Sequence, residues 1–88
     1  MMHLETFEDF RQLTYRDKIK TLYFHGTFIV SIRYYRHKVN LYLVHDFYVE
    51  VFYNPRLDMI DQFELFDPKH KRTKFYTDQI NFPADLLK

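Results

Sequence analysis

Between Thr27 and Phe66 the chain reads as four consecutive strands, FIVSIRYY, VNLYLV, FYVEVFY and MIDQFELF, with large side chains on both faces. A sheet with one wet face alternates apolar with polar residues. Here aliphatic residues alternate with more tyrosine and phenylalanine, so the second face must be covered or must bind something. That requirement shapes every other expectation drawn from the sequence.

The 88 residues fit one small domain, spanning 1–88, whose core is only just large enough to fold unaided. Eight Tyr and ten Phe supply that core, since each ring buries roughly 150–250 Å². One Gly, three Pro and no Cys exclude a low-complexity chain, a disulfide framework and a thiolate site. The start, MMHLETFEDF, is acidic and amphipathic rather than leader-like, and no apolar run approaches the ~18 residues of a membrane span. A cytoplasmic protein without membrane association is the expectation. Net charge is +1, but residues 67–88 hold five Lys/Arg against three Asp/Glu, mostly in the run Lys69 to Lys74. Such a run is most often a solvated connector.

Residues 6–25 show two apolar stripes, Phe7/Phe10/Leu13 and Tyr15/Ile19/Leu22/Tyr23, on nearly opposite sides of a single helix. Thr6 with Asp9 and Thr14 with Asp17 each begin a capping-box-like pattern. Two short helices, about 6–13 and 15–24, satisfy both observations. Gly26, the chain's one glycine, is expected to stop the second in the left-handed conformation.

From Thr27 the period is two. Phe28, Val30, Ile32 and Tyr34 share one face, as do Val39, Leu41 and Leu43, then Phe47, Val49, Val51 and Tyr53. Two-residue hairpin turns favour Gly or Asn, so a four-residue loop 35–38 and a three-residue loop 44–46 are expected. With those loops Val39, Leu41, Leu43, Val49 and Val51 face the helices. Asn54-Pro55 signals a type I turn. The fourth strand changes phase along its length, which points to a bulge or an edge position. The tail after Asp67-Pro68 carries Phe75, Tyr76, Ile80, Phe82, Leu86 and Leu87, enough to dock against the sheet.

This register forms a polar row, Arg33–Asn40–Glu50–Gln62, framed by Tyr35, Tyr42, Tyr48 and Phe52 on the outer face. An aromatic platform with a cation and a carboxylate suits a planar or polar ligand. The same row also reads as ordinary cross-strand pairing on a solvated or dimer-facing surface. Stacking rings on a sheet suggest single-stranded RNA as well, with Arg36, Lys38, Lys69, Lys71, Arg72 and Lys74 along the backbone. Against that stand the helix-then-meander order and the missing RNP-type motif. The five histidines have no metal-ligand spacing, and His25 with His45 is the one pair the strand order brings near. No cofactor motif, nucleophile or phosphate loop is visible.

The segments HGTFIVSIRYY and KVNLYLVHDFYVEVFYNPRLDMI resemble a set of short bacterial proteins with no known activity, which share the G-T-F helix exit, the V-N-L-Y strand and the F-Y-V-E-V strand and turn. The resemblance covers about residues 15–66 and implies bacterial origin and a shared fold. The expected architecture is α+β, two short N-terminal helices on a three- to four-stranded antiparallel meander, with the C-terminal segment crossing the other face or completing a dimer. The expected function is a non-enzymatic protein-interaction module working through the aromatic outer face, an edge strand or a homodimer. Single-stranded nucleic-acid binding is the alternative, and an enzyme comes third.

Overall fold

Two threonines begin the two N-terminal helices. In the computed structural model, which describes residues 5–79, α1 spans Phe7–Arg11 and α2 spans Tyr15–His25. The Asp9 amide donates to Thr6 Oγ1 (3.3 Å) while the Thr6 amide donates to Asp9 Oδ2 (3.2 Å), a complete capping box. The Asp17 amide donates likewise to Thr14 Oγ1 at 3.1 Å. Each cap satisfies donors that a helix start otherwise leaves open.

Gly26 follows α2, but at φ −90° and ψ 150° it is extended, not left-handed. The expectation of a left-handed stop is therefore corrected. Glycine serves here for closeness: a Cβ at Gly26 would lie 2.6 Å from the Leu22 carbonyl oxygen. The chain passes from helix to strand without a connecting loop.

Four strands follow: β1 (Gly26–Tyr34), β2 (His37–Val44), β3 (Phe47–Asn54) and β4 (Met59–Leu65). They form one antiparallel meander in the order β1-β2-β3-β4. The α+β class and the meander are as expected, and β4 is an edge strand with a bulge against β3 between Phe52 and Tyr53. The hairpins differ from expectation. Tyr34 pairs with His37 and Val44 with Phe47, so both turns hold two residues, Tyr35-Arg36 and His45-Asp46. The chain meets the backbone demand of such turns without glycine: Tyr35 and His45 lie at φ 56° and 57°.

An even loop where an odd one was expected reverses the relation between β2 and β3. Leu41 stands opposite Glu50, Val39 opposite Phe52, and Tyr42 opposite Val49. Because side chains alternate, this one-residue change moves a whole set to the other face. Val39, Leu41 and Leu43 thus leave the face that bears Val49 and Val51. A bulge between Phe28 and Val30 does the same within β1. Phe28 joins Tyr42, while Val30 and Ile32 join Leu41 and Val39.

Each face has its own core. On one, Phe10 and Leu22 from the helices pack with Val44, Phe47, Val49 and Val51. Edge-to-face rings extend it, with Phe10 5.8 Å from Phe63 and 6.3 Å from Phe47. The other collects Ile32, Val39, Leu41, Phe52, Phe66 and Tyr76. Its cover is α3 (Thr73–Gln79), reached through a winding segment in which the His70 amide donates to the Asp67 carbonyl and the Thr73 amide to that of His70. Tyr76 is completely buried there and Phe75 packs 4.7 Å from Tyr34. The C-terminal segment thus crosses the second face over residues 73–79; Ile80, Phe82, Leu86 and Leu87 lie outside the described residues. At its end the Gln79 amide donates to the Arg33 carbonyl (2.6 Å) and accepts from the Arg33 N–H (2.7 Å). Across the sheet, the Ile60 amide donates to the Tyr15 hydroxyl at 3.0 Å.

Candidate functional site

Under α3 the sheet carries a charge. Glu50 is only 1% exposed, in the middle of β3. Arg72 donates to it through Nη2 at 2.8 Å and through Nε to both carboxylate oxygens at 3.2 Å, and Tyr76 adds a hydroxyl donation at 3.0 Å. The guanidinium lies over the rings of Phe52 and Tyr34, 5.1 and 5.8 Å from their centroids. Burial opposes the charge on Arg72, but the hydrogen bonds and negative charge of Glu50 outweigh it and hold the guanidinium protonated. Burial, followed by the Glu50 charge and its hydrogen bond, pushes the Tyr76 hydroxyl far above the usual tyrosine range. Among the described residues no buried side-chain nitrogen or oxygen lacks a hydrogen-bond partner. This cluster ties the cover down and leaves nothing to offer a ligand.

A second cluster links the first hairpin to β4. His37 Nε2 and Asp61 Oδ2 are 2.7 Å apart, and Asn54 donates to the same oxygen at 3.2 Å. The His37 ring packs edge-on against Phe52. Hydrogen bonds from His37 and then Asn54 hold the Asp61 carboxyl below the usual carboxylate range. Among the described residues no group of His, Asp or Glu could hold a metal ion.

The helical face is different, because α1 and α2 cover only part of it. Between α2 and the sheet lies a hollow of about 340 Å³, walled by Ile19 and Tyr23 and floored by Phe28, Tyr42, Val51 and Ile60. Tyr23 is 81% exposed, Phe24 70% and Phe28 54%. Phe28 and Tyr42 meet edge-to-face at 5.6 Å, as Tyr23 and Phe24 do at 5.0 Å. Beside this hollow, toward the tip of the first hairpin, lies another of about 590 Å³, lined by Ser31, Arg33, Arg36 and Lys38 among others. The two are contiguous at paired residues, Ser31 with Asn40 and Lys38 with Tyr53. These two adjoining hollows, which share no lining residue, make up the groove: apolar where α2 walls it, and cationic at the hairpin tip, where it wraps the β1 border to Ile32, His37 and Gln79.

The outer-face patch expected from the sequence is therefore divided. Arg33, Asn40 and Tyr42 stand on the groove face, with Tyr35 in the turn at its cationic end. Tyr48, Glu50 and Phe52 stand on the opposite face beneath α3, with Gln62 opposite Phe52. The row Arg33–Asn40–Glu50–Gln62 does not exist, since Asn40 faces Val51 and Glu50 faces Leu41 and Glu64. The basic residues divide too. Arg36 and Lys38 line the groove, Arg72 is spent on Glu50, and Lys69, Lys71 and Lys74 lie in the segment behind the sheet.

No family model, curated protein or solved structure significantly matches this chain. The site must be judged on its own geometry. No described helix is long and apolar enough to cross a membrane.

Two pairings escaped the sequence, Glu50 with Arg72 and His37 with Asp61. A signal for the first was present. Glu50 interrupts an otherwise apolar strand, and a lone carboxylate there needs a buried cation. Its partner stood in a run that resembles a solvated connector. His37 with Asp61 could be found only with the two-residue turn known.

Proposed function

We propose that this protein is a non-enzymatic interaction module that receives part of another protein in the groove between α2 and the sheet. One observation carries this: the large aromatic side chains of Tyr23 and Phe28 stand exposed around a walled apolar hollow, with exposed Phe24 against Tyr23. Contiguous exposed apolar surface of this kind marks partner sites. The Tyr48 and Phe52 surface, the other half of the aromatic sheet, is less suited, because α3 lies on it. The resemblance of the HGTF and VNLY segments to short bacterial proteins supports a bacterial origin and is neutral about the partner.

A photo-crosslinking amino acid placed at Tyr23 or Phe28 tests the reading in the cells that make the protein. Defined adducts are expected from both positions and none from Lys69, behind the sheet. Equal capture from all three, or no adduct from the groove, refutes it.

Single-stranded nucleic acid is the second reading, favoured by Arg33, Arg36 and Lys38 sharing a groove with Tyr42. Base-independent binding tracks several successive phosphates, and the basic stretch expected to extend the track lies on the far side. Retention on single-stranded DNA with a steep salt dependence is the outcome that would favour it.

A further inference from the structure

We infer that the segment received by the groove is acidic: a short stretch of a separate protein with carboxylates beside one or two large apolar anchors. This rests on the interaction reading above and adds the chemistry of the occupant. The groove has two ends of different character. At the apolar end Ile19, Leu22 and Ile60 give aliphatic walls to an aromatic floor, a shape that accepts a Leu, Ile, Phe or Met side chain.

At the other end stand Arg33, Arg36 and Lys38, all exposed. None of the three forms an ion pair among the described residues. No Asp or Glu lines either half of the groove. Asp61 and Arg36 attract each other at the hairpin tip, which leaves Arg33 and Lys38 as the cations complementary to a peptide that carries negative charge next to its anchor. Such complementarity steers encounter and selects the partner.

The same charges disfavour a second copy of this chain as the occupant. A twofold dimer through the groove lays the cationic end of one copy over the aromatic end of the other, and neither end offers the carboxylates that these cations would select. They also fit nucleic acid poorly, since three cations at one end cannot track a strand along the whole groove.

The test uses the intact chain and a displayed library of random peptides about twelve residues long. Recovered peptides are expected to combine Asp or Glu with a large apolar residue. One of them, synthesised with a fluorescent label, is then titrated by anisotropy. The variant Arg33→Ala/Arg36→Ala/Lys38→Ala changes only exposed side chains and is expected to weaken binding about tenfold in low salt and less in high salt. Ile19→Asp, at the apolar wall, is expected to abolish it. Non-acidic peptides whose binding needs Ile19 but ignores the triple variant overturn the acidic occupant and leave the interaction reading standing. Peptides insensitive to both variants, or no recovered peptide, overturn both. Tighter binding of labelled oligo(dT) than of any recovered peptide, lost in the triple variant, assigns the cations to phosphate and also overturns the proposal. A concentration-dependent dimer abolished by Ile19→Asp overturns it in favour of self-association.

Discussion

Replacing Arg72 with methionine keeps an apolar stem over Phe52 and removes the guanidinium. Glu50 would then keep its place, 1% exposed, with the Tyr76 hydroxyl still donating to it at 3.0 Å. Removing one partner of a buried ion pair costs about 3–5 kcal/mol, because the other charge is left uncompensated. A chain this size has a total stability of about 4–13 kcal/mol, so the loss is large. The molecule has one way to lessen it. Release of α3 would rehydrate Glu50 at the expense of the contacts of Phe75 and Tyr76. Whichever route costs less sets the measured value. Urea denaturation followed by far-UV and near-UV signals separates the two. Global destabilisation lowers the midpoint at constant slope, whereas early loss of α3 lowers the slope or splits the transition. The double variant Glu50→Leu/Arg72→Met removes both charges and is expected to return to within about 1 kcal/mol of the parent or to exceed it. An Arg72→Met protein within about 1 kcal/mol of the parent, with the same slope, would refute the reasoning.

Gly26→Ala should destabilise by about 1–3 kcal/mol in thermal or urea melts, because the new methyl meets the Leu22 carbonyl oxygen at 2.6 Å; an unchanged midpoint would show that the helix exit can yield. The raised Tyr76 pKa gives an alkaline limit. An unfolded tyrosine ionises near pH 10, so this group's contribution is complete below about pH 10 and is lost as pH rises toward the folded value. Tyrosinate absorbance should show Tyr76 ionising only together with loss of structure, and all eight tyrosines titrating in an intact fold would contradict this. His45→Gly relieves a left-handed backbone at φ 57° on an exposed turn and should stabilise by about 0.5–1 kcal/mol, read from the urea midpoint.

Local chemistry was the most legible part of the sequence. The caps at Thr6 and Thr14 are determined by residues three positions away, and the meander follows from successive period-two segments. The faces were not legible. A two-residue turn without Gly or Asn looks forbidden, yet tertiary pairing holds Tyr35 and His45 in the strained region. With an odd loop assumed in place of His45-Asp46, Tyr42 and Tyr48 fall on one face; with the true even loop they are separated. The candidate site inherited that single parity, which is why Arg33, Asn40 and Tyr42 remained together while Tyr48, Glu50 and Phe52 went under α3. Arg72 was hidden for another reason. It lies 22 residues from Glu50, and nothing local distinguishes it from its solvated neighbours.

The two outer strands each end their freedom in a side chain. At Arg33 the Gln79 amide takes both the N–H and the carbonyl of β1, and at Ile60 the Tyr15 hydroxyl takes the N–H of β4. A further strand approaching either border would have to displace a bond already made, and at β1 it would also meet the end of α3. The open border of an aromatic-rich sheet is an efficient template for its own kind. These two small plugs stand at the borders where copies would otherwise add strand to strand. Growth into fibrils is thereby hindered at both borders. Loss of Gln79 or of the Tyr15 hydroxyl would leave the fold nearly as stable and make it far more prone to aggregate.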